Sequence, residues 1–166
     1  MKRGQKFEDN FRKSIDRENP ELFYYRFKDG TANWDRNNQN VRFQAHNIAD
    51  HFIFYKNKLF ICELKSHKGK SLPFSCIRDT QYEEMFEAGK KKNVYSLIFV
   101  FFSDLEECYV ASVGSIVALK LTSDRKSIPL SFFQEKGFKI DCRKLKTNYR
   151  FDIQSFFKLF NNAWHF

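Results

Sequence analysis

Asp50-His51-Phe52-Ile53-Phe54-Tyr55-Lys56-Asn57-Lys58-Leu59-Phe60-Ile61-Cys62-Glu63-Leu64-Lys65 reads as a β-hairpin with charges where its core should be apolar. Two apolar-aromatic runs flank the polar Lys56-Asn57-Lys58. Asp50, Glu63 and Lys65 stand at the end away from that turn. A charge taken out of water is costly unless a partner or a metal compensates it. These three side chains therefore lie at a wet sheet edge or build a site.

Strand alternation sorts them. Glu63 and Lys65 share one face, and Cys62 and Leu64 point the other way. A turn with Asn57 and Lys58 at its tip pairs Lys56 with Leu59. Counting back sets Asp50 opposite Lys65 and makes Glu63 its diagonal neighbour, roughly 7–8 Å away. A one-residue change in the turn would send Asp50 to the other face. Two carboxylates converging at a strand end suit a hard divalent cation such as Mg²⁺, which keeps several waters and completes its shell with substrate phosphate oxygens. A lysine beside them can orient water and offset charge in a phosphoryl transition state. The alternative is a polar hairpin edge carrying surface ion pairs.

Moving outward, Phe7, Phe11 and Ile15 recur every four residues from Arg3 to Arg17, one stripe of an amphipathic helix. Residues 18–49 are polar, with Pro20, Asp29-Gly30 and Asn37-Asn38-Gln39-Asn40, and read as a loop with one short strand at Leu22–Phe27. Strands are expected at about 49–56 and 58–65, then a loop from Ser66 to Phe74. A helix is expected from a Ser75 N-cap to Gly89. In it Gln81 interrupts the apolar stripe of Ile77, Met85 and Ala88, as a metal or water ligand or as a buried amide bonded to backbone. Val94–Phe102 is a continuous apolar strand of the central kind, Glu107–Val113 its neighbour. Helices follow at Gly114–Leu121 and Ser127–Lys136, a strand at Phe138–Cys142, and a final helix capped by Asp152. The fold class is α/β, a mixed central β-sheet flanked by helices in one domain. The 21 phenylalanines can fill its core.

Lys and Arg outnumber Asp and Glu by 29 to 20, a net charge of +9 that favours a polyanionic partner, nucleic acid first. Arg42, Lys68 and Lys70 are the candidate DNA contacts. The four cysteines show no C-x-x-C pairing, so neither a disulfide framework nor a zinc site is expected. No apolar run is long enough to span a bilayer, and no apolar segment follows the basic start Met1–Lys6, which reads as a cytosolic protein.

Asp50, Glu63-Leu64-Lys65, Ser71-Leu72-Pro73-Phe74 and Gln81 together resemble the RecU-type Holliday-junction resolvases of the restriction-endonuclease-like PD-(D/E)xK superfamily. Arg3-Gly4-Gln5-Lys6-Phe7-Glu8 is similar to the family's R-G-x-x-x-E start. Arg125-Lys126-Ser127-Ile128-Pro129 and Tyr149-Arg150-Phe151-Asp152 are similar to its late segments. The resemblance implies a homodimer that binds branched DNA, four-way junctions above all, and nicks opposing strands with Mg²⁺ or Mn²⁺. It implies Asp50, Glu63 and Gln81 as metal ligands, Lys65 as transition-state stabiliser, and Glu8 as an assisting acid. This chain has Ile48 where the family often has threonine, and only residues 18–49 where family members carry a long stalk. Two other readings stay open: a related nuclease acting on linear or damaged DNA, and a non-catalytic DNA-binding protein on a nuclease scaffold.

Overall fold

The computed structural model describes residues 3–18, 21–27 and 47–163. Helix α1 (Arg3–Glu18) leads into strand β1 (Leu22–Arg26), then β2 (His51–Tyr55) and β3 (Lys58–His67). Short strand β4 (Ser71–Pro73), a 3-10 turn (Phe74–Cys76) and helix α2 (Asp79–Gly89) carry the chain over to β5 (Val94–Phe102). There follow β6 (Glu107–Ser112), α3 (Val113–Thr122), β7 (Ser127–Pro129), α4 (Leu130–Lys136), β8 (Phe138–Ile140), β9 (Cys142–Lys144), β10 (Tyr149–Phe151) and α5 (Ile153–Ala163).

Six strands form the central sheet in the order β1-β2-β3-β5-β6-β8. Among the described residues β3 and β5 are its one parallel pair, because the α2 crossover returns the chain in the same direction. Each face carries its own core. On one, Phe7, Phe11 and Ile15 of α1 and Phe156, Phe157 and Phe160 of α5 pack on Phe60, Cys62, Leu64, Phe99 and Phe101. On the other, Tyr82 and Met85 of α2, Ile116 of α3 and Phe133 of α4 cover Ile61, Ile98, Val100 and Phe102. This is the mixed α/β architecture, a central sheet flanked by helices, that the sequence predicts. Covering β5 on both faces explains its unbroken apolar run. No helix among the described residues is long and apolar enough to cross a membrane.

Three local expectations are corrected. The hairpin turns at Lys56-Asn57, pairing Tyr55 with Lys58 and His51 with Cys62. Lys56 itself adopts the left-handed conformation, at φ 54°. The pairing shifts by two residues, so facing is kept, but Asp50 comes level with Glu63 rather than Lys65. Helix α2 starts at Asp79, because Phe74–Cys76 is spent on the 3-10 turn and Ile77 is extended. The segments expected as loop 66–74 and helix 127–136 each contribute a short strand instead. Ser71, Leu72 and Pro73 pair with Pro129, Ile128 and Ser127.

The link from α4 to β8 tolerates no side chain. A Cβ on Gly137 would stand 2.6 Å from the Phe133 carbonyl oxygen and 2.8 Å from that of Val110. Both are backbone atoms of packed elements. Gly137→Ala is expected to cost about 1–3 kcal/mol of stability, measurable as a lowered midpoint in urea unfolding.

Candidate active site

The site grows from the alternation of β3. Leu59, Ile61, Glu63 and Lys65 project to the α2 side, while Phe60, Cys62 and Leu64 fill the core under α1. Glu63 is thereby drawn into the sheet interior, 1% exposed. A carboxylate there needs partners, and it has them on both oxygens. Oε1 lies 2.5 Å from Lys65 Nζ. Oε2 accepts from the Asp50 backbone N–H at 3.2 Å and from the Gln81 side-chain amide at 3.3 Å.

Asp50, Glu63, Lys65 and Gln81 are thus brought together, as their spacing predicts. The electrostatics are those of two carboxyl groups held against each other. Burial pushes the Glu63 pKa up, Lys65 pulls it back, and the adjoining Asp50 raises it again, leaving it above the usual carboxylate range. For Lys65, burial works against the charge, but the Glu63 carboxylate outweighs it and keeps the ammonium pKa above its ordinary value.

Gln81 owes its place to the start of α2. Its side-chain oxygen accepts from the Arg78 backbone N–H and from Arg78 Nε, both at 3.4 Å, so Gln81 reaches back to cap the start of its own helix. The amide nitrogen is therefore the atom turned to Glu63. Arg78, which fixes this orientation, was not foreseen from the sequence. The signal was present in Arg78-x-x-Gln81, a helix start with Gln at its third position.

Glu8 stands on α1, on the sheet face opposite Glu63. Its Oε2 lies 2.7 Å from Arg26 Nη2, and Arg26 pairs with His51 across the β1–β2 ladder. Glu8 thus connects to the residue next to Asp50 through Arg26, on the edge strand. Lys68 and Lys70 are exposed on the turn just past the end of β3. Gly69 between them sits at φ 83° and donates to Asp104 at 3.2 Å. Arg42 lies outside the described residues.

His51 is fully buried on the α1 side, stacked on Tyr24 with centroids 5.5 Å apart. Burial lowers its pKa to about 4, against a smaller opposing pull from Asp50. Between pH 6.5 and about 4 the unfolded chain binds the extra proton, so stability must fall as pH falls through that window. The expected slope is up to about 1.4 kcal/mol per pH unit, read as the difference in pH-dependent unfolding between the native chain and His51→Phe.

The described residues hold no group of three or more His, Cys, Asp and Glu side chains able to bind a metal by themselves. Two apposed carboxyl groups and an amide fit a cation that keeps its own waters and borrows phosphate oxygens from the substrate. They do not fit a metal caged by protein. The carboxyl groups also repel each other, which a divalent cation would relieve. A cavity of about 510 Å³ opens elsewhere, around Lys90–Asn93 at the start of β5, and includes none of these residues.

The sequence profile of the family described as RecU, Recombination protein U, matches residues 2–155. The SPbeta prophage-derived uncharacterized protein YotM of Bacillus subtilis (strain 168) is 29% identical over 163 residues, covering 89% of this chain and 81% of that protein. The Holliday junction resolvase RecU of Streptococcus sanguinis (strain SK36) is 27% identical over 105 residues, 62% of this chain and about half (52%) of that protein. Among solved structures, the Holliday junction resolvase Hjc of Archaeoglobus fulgidus aligns over 72% of this chain and 83% of its own, with a TM-score of 0.48 and 11% identity.

Proposed function

This chain belongs to the Recombination protein U family, and from that membership we propose that it is a Mg²⁺-dependent endonuclease that resolves four-way DNA junctions by hydrolysing backbone phosphodiesters. One observation carries the reading: the buried Glu63 carboxylate, set against Asp50, with Lys65 2.5 Å away at the same strand end. A carboxylate buried beside a second, half-buried one costs stability, and a structural role would be served better by apolar residues. Phosphodiester hydrolysis needs this combination of cation ligands and a fixed positive charge.

Asp50 and Glu63 would hold the cation, with Mn²⁺ able to substitute. When bound, Mg²⁺ supplies Lewis acidity toward a phosphate oxygen and neutralises developing charge. Lys65, kept protonated by its carboxylate neighbours, stabilises the extra negative charge of the transition state. Gln81 as placed steadies Glu63 through its NH₂, and a ligand role would need the amide to turn over. Glu8 holds Arg26 beside the Asp50 segment. Lys68 and Lys70 on their exposed turn, together with Arg42, would engage flanking phosphates, helped by the net charge of +9. Symmetric nicking of opposing strands requires two sites, hence a homodimer, working in the cytoplasm where the DNA is. A nuclease of linear duplex is the second reading, favoured by the short span of residues 19–49 between α1 and Asp50.

The deciding assay incubates the protein with a four-way junction and with matched linear duplex, in Mg²⁺ or EDTA. Paired junction nicks that need Mg²⁺ are expected. Equal cutting of linear duplex would favour the second reading, and binding without cutting in Mg²⁺ would refute both. Mg²⁺ binding should also show without DNA. Saturating Mg²⁺ is expected to raise the melting temperature, since a cation at a hundredfold its Kd adds about 2.7 kcal/mol, and Glu63→Gln should remove that rise.

A further inference from the structure

Arg78 stands where the local rules of helix formation argue against it. It is the residue just before the first turn of α2, extended at φ −66° and ψ 146°. That position favours Ser, Thr, Asp or Asn, whose oxygens accept from the first free amides of the helix. Arginine offers only donors, and it sets a cation at the positive end of the helix dipole. The acid next to it does not offset that charge. Asp79 Oδ1 lies 2.5 Å from Lys120 Nζ instead, and this ammonium sits 4.9 Å over the Tyr82 ring. Among the described residues no carboxylate pairs with Arg78. A residue that breaks a local preference without a compensating contact points to function.

Its place relative to the carboxylates is fixed by hydrogen bonds. Arg78 Nε donates to the Gln81 side-chain oxygen at 3.4 Å, and the Gln81 amide donates to Glu63 Oε2 at 3.3 Å. The series runs from the interior to the surface. Glu63 is 1% exposed, Gln81 5%, and Arg78 is exposed. The guanidinium therefore sits two hydrogen bonds from the buried carboxylate, on its solvent side. With Nε committed to Gln81, the four N–H donors of the two Nη nitrogens are left for an acceptor from outside. A cation on Asp50 and Glu63 takes the phosphate being cut into its own shell, and Lys65 serves that same phosphate from within. Arg78 lies one layer further out, where the strand carries its next phosphate. A planar fork of donors matches the oxygens of a phosphate group.

We propose that Arg78 is a further catalytic residue of the site: its guanidinium grips the phosphate adjoining the one being cut and so holds the strand in register for attack. The proposal rests on the DNA-cleaving reading above and adds to that site a contact with its substrate.

The test measures single-turnover cleavage in Mg²⁺ of whichever DNA the protein cuts, four-way junction or duplex. The substrate carries either its native linkages or one uncharged methylphosphonate, placed on one side or the other of the mapped cut. Arg78→Ala is expected to slow cleavage of the unmodified substrate by about 10–100-fold, the worth of a charge-assisted hydrogen bond. Arg78→Lys should recover little of that loss, and Arg78→Gln repeats the comparison with the stem kept. One of the two methylphosphonates should slow the native protein by a similar factor and slow Arg78→Ala no further, since both changes remove the same contact. The rise in melting temperature on adding Mg²⁺ without DNA should be the same in Arg78→Ala as in the native protein, because Gln81 keeps the backbone N–H of residue 78. Losses that multiply at both linkages overturn the proposal, as does a variant that cuts at the native rate. A Mg²⁺ response lost together with the rate overturns it too, since Arg78 would then serve only to orient Gln81. Native protein that cuts no DNA would overturn the DNA-cleaving reading itself.

Discussion

Glu63→Gln is expected to lower Mg²⁺-dependent strand cleavage by about 10³-fold, the several kcal/mol that electrostatic stabilisation of a transition state supplies. Binding of junction DNA in EDTA should survive, because it draws on Lys68, Lys70 and the general positive charge rather than on a buried carboxylate. The same substitution is expected to stabilise the cation-free protein by on the order of 1 kcal/mol at neutral pH. Glutamine keeps the shape and still accepts from the Asp50 N–H, but it carries no charge to set against Asp50. Quenched-flow cleavage and thermal melting measure the two effects. Lost activity together with gained stability marks a group kept for chemistry. A loss of stability with cleavage intact would make Glu63 a structural residue and sink the mechanism.

Lys65→Met should lower cleavage by about 10²–10³-fold and, unlike the first variant, destabilise the protein in a pH-dependent way. Methionine keeps the packing of the stem and removes the ammonium, leaving Glu63 buried without a cation. The Glu63 pKa is already raised in the folded state, and it should rise further. Above pH 4.5 the folded state then holds more protons than the unfolded chain, so stability falls as pH rises through the folded-state value. At pH 5 the variant should be close to the native chain. By pH 8 it should be about 3 kcal/mol less stable, the cost of orphaning one member of a buried pair. Urea unfolding at several pH values resolves this, and a penalty independent of pH would contradict it. Lys65→Arg should restore little activity, because a planar fork does not place charge where a point charge sat.

Much of this site was legible because a strand leaves little freedom. Once 58–65 is extended, Glu63 and Lys65 must share a face, and any even shift of the hairpin keeps Asp50 with them. That is why the two-residue error in register did no harm. The shift has a physical cause: the turn centres on Lys56-Asn57, one residue earlier than Asn57-Lys58, with Lys56 in the left-handed conformation. The start of α2 lies later than expected because Ser75 is a plausible N-cap by residue type alone, while the chain spends Phe74–Cys76 on a 3-10 turn. The pairing of Ser71–Pro73 with Ser127–Pro129 joins three-residue strands far apart in the chain, and no periodicity announces a strand that short. The Glu8–Arg26 pair was hidden for a related reason. It forms between a helix and an edge strand, and neither element's pattern points to the other.

The parallel pairing of β3 with β5 has a consequence in time. Leu64 cannot meet Phe99, nor Lys65 Val100, until β4, the 3-10 turn and all of α2 have formed a crossover between them. Contacts closed across so long a stretch of chain come late in folding. The hairpin that brings Asp50 level with Glu63 is local and can close early. Gln81 and the wall of β5 arrive only with the crossover. A nascent or partly refolded chain would therefore hold its carboxylates in an open, wet hairpin, without the low-dielectric surroundings that sharpen their chemistry. The proposed cleavage activity is therefore expected to appear only once the crossover between β3 and β5 has closed.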